Sequence, residues 1–260
     1  MAIQSIQRAV EMLALFSLSR PRLKVAQIAK ELDLPVGTAH GVVRTLVEMG
    51  LMRQDPHSKE YGLGLRLLEF GTIQMGTLEI NQKAAVPARY LARDTNLVVH
   101  IGVFEWDALI VTYSTSPLMS RENRPFLGMR LPVYCTSIGR AILANLPDSD
   151  AESYLERVDR VQYTPKTLTD SRKIIEELKN TRQIGYSVVI QELLLTLCSM
   201  GAPILGANGE VVGGISLNGD PNIMQQAGFP ALGQTLMETA AEISNSFGYS
   251  YEQTITNSRW

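Results

Sequence analysis

The sequence predicts an α+β protein in two parts: a small helical unit closed by a hairpin, and a larger unit on an antiparallel sheet. Three observations carry this. Apolar residues recur at helical spacing from residue 5 to about residue 94, interrupted by one short strand pair. From Leu97 onward, β-branched runs come in pairs joined by tight turns, residues 97–104 with 108–113 and 198–205 with 211–217. Helical stretches lie between those pairs, where strict βαβ units would need single strands alternating with helices.

Taken in order, Ser5 is placed to cap a first helix over residues 5–18, with Ala9, Val10, Leu13, Ala14 and Phe16 on its apolar face. Ser19-Arg20-Pro21 ends it. Val25, Ile28, Ala29 and Leu32 then follow the spacing of a short one-sided helix. Pro35 disfavours a helical Leu34, so that helix stops before it. A second helix over residues 38–49 turns Val42, Val43, Leu46, Val47 and Met49 inward and leaves His40, Arg44 and Glu48 outward. Two short helices across a tight turn form a helix-turn-helix, whose second helix can enter the DNA major groove. Residues 51–54 and 61–63 read as two strands around the turn cluster Asp55-Pro56-His57-Ser58-Lys59, which adds a wing.

A connecting helix follows over residues 65–78, softened by Gly71 and Gly76, then a helical stretch over 79–94 in which Pro87 is expected to start or kink the helix. The domain boundary falls near residues 77–81. We assign 1–77 to the winged helix-turn-helix with the start of the connecting helix, 78–250 to the second domain, and 251–260 to a C-terminal tail. Beyond the first hairpin, whose turn is Glu105-Trp106-Asp107, helices are expected over residues 136–146 (capped by Thr136 or Ser137), 148–158 and 170–182. The second hairpin turns at Asn208-Gly209, and a final helix runs from Pro230 to Phe247.

Composition excludes several classes. The chain has 260 residues, of which 45% are hydrophobic and 19% charged, enough for two ordinary cores. No apolar run reaches the roughly 18 residues of a membrane span. The start lacks a basic segment followed by an apolar block, so no secretory signal is expected. Cys135 and Cys198 each sit in an apolar stretch, as reduced core thiols of a cytoplasmic protein would. His40, His57 and His100 show no metal-ligand spacing, so no metal and no cofactor is expected. Residues 1–76 carry nine Lys/Arg against seven Asp/Glu, leaving fifteen against nineteen for the rest. The first part alone is weakly suited to phosphate.

Seven motifs occur in order: Ser5-Ile6-Gln7-Arg8-Ala9-Val10, Leu34-Pro35 before the second helix of the helix-turn-helix, Tyr61-Gly62-Leu63-Gly64 closing the wing, the run from Gly128 to Ala141, Gly185-Tyr186-Ser187, Gly201-Ala202-Pro203 and Gly213-Gly214-Ile215-Ser216-Leu217. In these the chain resembles the IclR (isocitrate lyase regulator) family of bacterial transcription factors over roughly residues 3–248. The resemblance implies a GAF-like effector domain, a homodimer or homotetramer, and ligand-controlled binding to operator DNA. The recognition helix departs from the family pattern, with Val36, Gly37 and Gly41 where basic and hydroxyl residues are usual. Thr38, His40, Arg44 and Thr45 remain for contact with the groove, and Arg53, His57 and Lys59 for phosphates. A solvated surface charge is the plainer reading of Arg44.

The resemblance also implies a small-molecule pocket between the sheet, the helix start at Thr136, and residues 185–199. Carried over by position, its candidates are Leu131, Ser137, Ile138, Val189, Glu192, Ser199, Ser216 and Asn218. Val189 stands where the family often has Asp. Around it lie Val188, Ile190, Leu193, Leu194, Leu195 and Leu197, which either pack in a core or between protomers, or widen the pocket for an aromatic or hydrophobic ligand with one carboxylate end. Glu192 is either the family's acidic position or a surface charge. Two other functions remain open: a sensory or scaffolding protein whose winged helix binds protein, and a GAF-domain enzyme using Cys135 or Cys198. The latter lacks any motif tying a base to either thiol. A non-enzymatic regulator is the expectation.

Overall fold

The structure, a computed structural model, describes residues 3–117 and 126–249, so the tail assigned to 251–260 lies outside the described residues. The chain divides between Gly76 and Thr77 into two compact units.

The first unit holds α1 (Gln4–Ala14), α2 (Val25–Glu31), α3 (Val36–Glu48), the strands β1 (Met52–Gln54) and β2 (Tyr61–Leu63), and nearly all of α4 (Arg66–Thr77). Met12, Ile28, Ala29, Ala39, Val43, Leu46, Met52 and Tyr61 form its core. Ser5 is not the cap of α1: Ile3 holds the N-cap position and no side chain caps it. The helix also ends four residues early. The Arg20 amide donates to the Ser17 hydroxyl at 3.1 Å, and this local bond gives the chain a turn in place of another helical one. Between α2 and α3, Asp33 takes φ 50° and the Leu34 amide donates back to Ala29 O at 2.8 Å, closing α2. Pro35 sits at the N-cap position of α3.

The second unit adds α5 (Glu79–Thr95), β3 (Val98–Glu105), β4 (Ala108–Thr115), β5 (Arg130–Leu131), α6 (Ser137–Ala144), α7 (Asp148–Arg157), α8 (Ser171–Ile184), β6 (Ser187–Ile190), β7 (Cys198–Leu205), β8 (Val211–Gly219), α9 (Pro221–Ala227) and α10 (Phe229–Ser246). The strands form one antiparallel sheet in the order β5-β4-β3-β8-β7-β6. Its first hairpin turns on Trp106 and Asp107, both left-handed at φ 54° and 60°, the geometry that two-residue hairpin loops favour.

Pro87 neither starts nor divides α5, which runs unbroken through it. The hydrogen bond missing at Pro87 is offset by a buried face of Ile80, Ala84, Ala88 and Leu91. Helix α9 is not among the elements expected from sequence, although Asp220 caps it by accepting the Asn222 amide at 2.8 Å and Pro221 opens its first turn.

Strand alternation divides the sheet into two unlike faces. Val99, Ile101, Met200, Ala202, Ile215 and Leu217 join α5 and α10 in one core. The other face is polar at its centre. A row of opposed residues crosses five strands there: Ser114, His100, Ser216, Gly201 and Ser187. Helix α6 lies on this face because glycine leaves it room. A Cβ on Gly201 would fall on the carbonyl of Ser137, and one on Gly214 would come within 2.8 Å of Ile138 Cγ2. Gly201→Ala is therefore expected to push α6 off the sheet and to cost about 1–3 kcal/mol. Urea denaturation of the full chain measures it, and an unchanged midpoint would contradict the close seating.

Candidate DNA-binding and effector sites

In the first unit, α3 buries Ala39, Val43 and Leu46 and presents Gly37, His40, Gly41, Arg44, Thr45 and Glu48 at the surface. Arg44 forms only an exposed ion pair with Glu48, 3.5 Å away, so its guanidinium can be redirected cheaply. The Thr45 hydroxyl donates to Gly41 O at 3.1 Å, and Thr38 is half-buried at the edge of the exposed stripe. Nothing lies within 4 Å of where a Cβ would stand on Gly37 or Gly41. The outer face of α3 is thus flat backbone flanked by His40 and Arg44.

Arg53, His57 and Lys59 are exposed on the wing. Asp55 Oδ1 accepts the His57 and Ser58 amides, each at 2.9 Å, and fixes the turn that carries them. Those two amides hold the Asp55 carboxyl below its ordinary range, and Arg22 at 3.0 Å adds to this. Sequence reasoning passed over Arg22, whose place beside the wing follows from an ion pair 33 residues away in the chain.

In the second unit, all eight residues named from sequence line one small cavity, with about 30 Å³ of free space: Leu131, Ser137, Ile138, Val189, Glu192, Ser199, Ser216 and Asn218. The structure adds His100, Cys135, Thr136 and an apolar wall of Leu109, Val111, Phe126, Leu193 and Leu197. The run of leucines sorts by strand alternation and loop position. Val189, Leu193 and Leu197 face the cavity, Val188 packs on the opposite core, and Leu194 and Leu195 are exposed.

Thr136 holds the N-cap position of α6, but its hydroxyl donates to Pro132 O at 2.8 Å instead of capping the helix. The first turn of α6 therefore presents its end to the cavity, where amides and the helix dipole favour an anion. Asn218 Nδ2 donates to Ser216 Oγ at 2.9 Å, fixing both on the floor.

Glu192 is not a surface charge. It is 6% exposed, its Oε2 lies 2.7 Å from the Arg140 guanidinium, and it also accepts the Leu168 amide at 2.9 Å. Arg140, itself 2% exposed, donates in addition to Tyr134 O. The one carboxylate lining the cavity among the described residues is thus neutralised from behind. Arg140 was not legible as a partner because 52 residues separate it from Glu192.

Residues 73–245 match the family described as bacterial transcriptional regulator IclR C-terminal, and residues 5–56 match the IclR helix-turn-helix domain. The chain belongs to the IclR family. This IclR-family regulator is 32% identical over 249 residues to the glycerol operon regulatory protein of Streptomyces coelicolor, covering 95% of this chain and 97% of that one. The crystal structure of Thermotoga maritima IclR superimposes with a TM-score of 0.71 at 26% identity, over 95% of this chain and all of that one. An IclR homologue from Microbacterium hydrocarbonoxydans, solved in complex with 4-hydroxybenzoate, superimposes with a TM-score of 0.77 at 23% identity, over 94% and 98%.

An IclR-family regulator is a DNA-binding transcription regulator with an effector-binding C-terminal domain, not an enzyme. The thiols agree chemically: burial pushes Cys135 up to about 12 and Cys198 up to about 11, so neither supplies a thiolate near neutrality. No helix among the described residues is long and apolar enough to cross a membrane.

Burial pushes His100 down to about 4 from its ordinary 6.5. The unfolded chain then binds a proton that the folded chain refuses between those values. Stability is full above pH 6.5 and falls as pH drops toward 4, by on the order of 3 kcal/mol. Chemical denaturation at pH 7.5 and pH 4.5 should show that loss in the parent and less of it in His100→Phe. Equal losses would contradict the neutral imidazole.

Proposed function

We propose that this regulator binds a symmetric operator as a homodimer or dimer of dimers in the cytoplasm, and that a small organic acid with an apolar, preferably aromatic, body occupies the second-domain cavity and tunes that binding. Thr38, His40, Arg44 and Thr45 meet the groove, while Arg53, His57 and Lys59 meet phosphates. Leu131, Ser137, Ile138, Val189, Glu192, Ser199, Ser216 and Asn218 meet the effector. The observation that carries the effector reading is the cavity's make-up: a helix N-terminus, three serine hydroxyls and a few further polar side chains facing an apolar wall of Leu109, Val111, Leu193 and Leu197. The neighbour solved with 4-hydroxybenzoate binds an acid of this kind.

Support for pairing comes from two helices of the first unit. Ile6 and Val10 on α1 are each 60% exposed, and Leu68 on α4 is 67% exposed, with further apolar residues beside it. Helix α4 buries none of its own residues within one copy. A second copy of the chain is the natural cover, since one winged helix reads only a half-site.

Two measurements test this. Arg44→Ala with Arg53→Ala should weaken binding to DNA upstream of the chain's own gene and flatten its salt dependence by roughly one unit of slope for each phosphate no longer neutralised. Unchanged affinity and slope would move the DNA surface elsewhere. Ile6→Glu with Leu68→Glu should lower the mass seen by light scattering to that of one chain. A parent protein already monomeric at micromolar concentration would refute the pairing.

A further inference from the structure

His100 is the residue that the family motifs did not single out and the structure does. It is 4% exposed, lines the cavity, and its Nε2 has no hydrogen-bond partner among the described residues. The Oγ of Ser114, directly opposite it on β4, is also buried without one among those residues. An unmade hydrogen bond at a buried polar atom is destabilising, and proteins retain few such atoms. The Phe126 ring stands edge-on to the imidazole with centroids 5.9 Å apart, so one flank of His100 is apolar. The nearest charges on the cavity wall, Glu192 with Arg140 behind it, are engaged with each other.

We propose that His100 is a specificity-determining residue whose Nε2 takes a hydrogen bond from a hydroxyl on the effector, at the end remote from its carboxylate. This rests on the effector reading above and refines it: the ligand is an acid with two polar ends, a hydroxylated aromatic or similarly compact acid. Two features place those ends apart. The carboxylate end belongs at the first turn of α6, which presses on Gly201. His100 is opposed to Ser216, and Ser216 to Gly201, so His100 stands two strands away from that point. At about 4.8 Å per strand this is roughly 10 Å between backbones. The imidazole itself fills part of that span. A neutral imidazole with a free ring nitrogen suits a hydroxyl, which can either donate or accept.

The test compares benzoate with its meta- and para-hydroxylated forms by calorimetry on the full-length chain. The parent should bind one hydroxylated form about tenfold more tightly than benzoate, the yield of one net hydrogen bond. His100→Phe should bind the two alike, with thermal stability at pH 7.5 equal to the parent or higher. His100→Asn, which keeps a polar tip, should retain part of the preference. Because the chain has only three histidines, imidazole nitrogen resonances of the parent give a readout that needs no variant at position 100. The His100 signal should move with the preferred hydroxylated acid and not with benzoate.

Binding without any hydroxyl preference in the parent, or a preference that survives in His100→Phe, would overturn this role while leaving the effector reading standing. A histidine signal unmoved by the bound acid would do the same. Absence of binding by every acid would overturn the aromatic-acid reading and this proposal with it.

Discussion

The seating of α6 on the polar face of the sheet is the constraint on which the second unit depends. A helix of Ser137–Ala144 with every residue buried can lie this close only where the strands beneath it lack side chains. Gly201 and Gly214 provide that, and their neighbours on the same face supply the cavity floor. One local substitution pattern thus produces two consequences: a helix N-terminus delivered to the interior, and a pocket of serine, histidine and asparagine beside it. The opposite face carries an apolar core under α5 and α10, and the α6 side has a second one, where Leu109, Val111 and Leu131 meet α6, α7 and α8.

The buried Arg140–Glu192 pair completes the arrangement. It ties α6 to the segment after β6, and that segment is further held by the Thr167 hydroxyl, which donates to Glu192 O at 2.6 Å. Removing one partner of such a pair leaves an uncompensated charge, typically worth about 3–5 kcal/mol. The pair therefore fixes the cavity's rim and at the same time removes a net charge from its wall. Among the described residues the cavity then offers a helix terminus and hydroxyls, with no free carboxylate beside them. Among the described residues, His100 Nε2 and Ser114 Oγ are the buried polar atoms of this face left without a partner.

Much of this was legible in the sequence, and the gaps have physical causes. Helical spacing in Val25–Glu31 and the turn at Leu34-Pro35 point to the helix-turn-helix, because local periodicity and proline stereochemistry act within a few residues. The cavity residues came from motif positions, and the structure brings all eight together. What escaped was non-local. The Arg140–Glu192 pair, the orphaned His100 and the Arg22–Asp55 bridge each depend on which strands and helices become neighbours. The error at the end of α1 had a local cause, the Ser17 hydroxyl competing for the last turn, and burial carries α5 through Pro87 where the sequence offered a helix start. The domain division near residue 77 follows from α4 and α5 being separate helices with Leu78 between them.

The central claim is that a small acid in the second unit and DNA on the first are linked through one chain. Linkage of that kind is reciprocal, and typical coupling energies of about 1–3 kcal/mol correspond to factors of roughly 5–150 in affinity. The most direct measurement is a full thermodynamic cycle on the full-length protein at fixed salt. An acid that binds the cavity is titrated with and without DNA from upstream of the chain's own gene, and the DNA is titrated with and without the acid. Each should change the affinity for the other by the same factor, within that range. An acid that binds in the cavity and leaves DNA affinity unchanged would contradict the linkage.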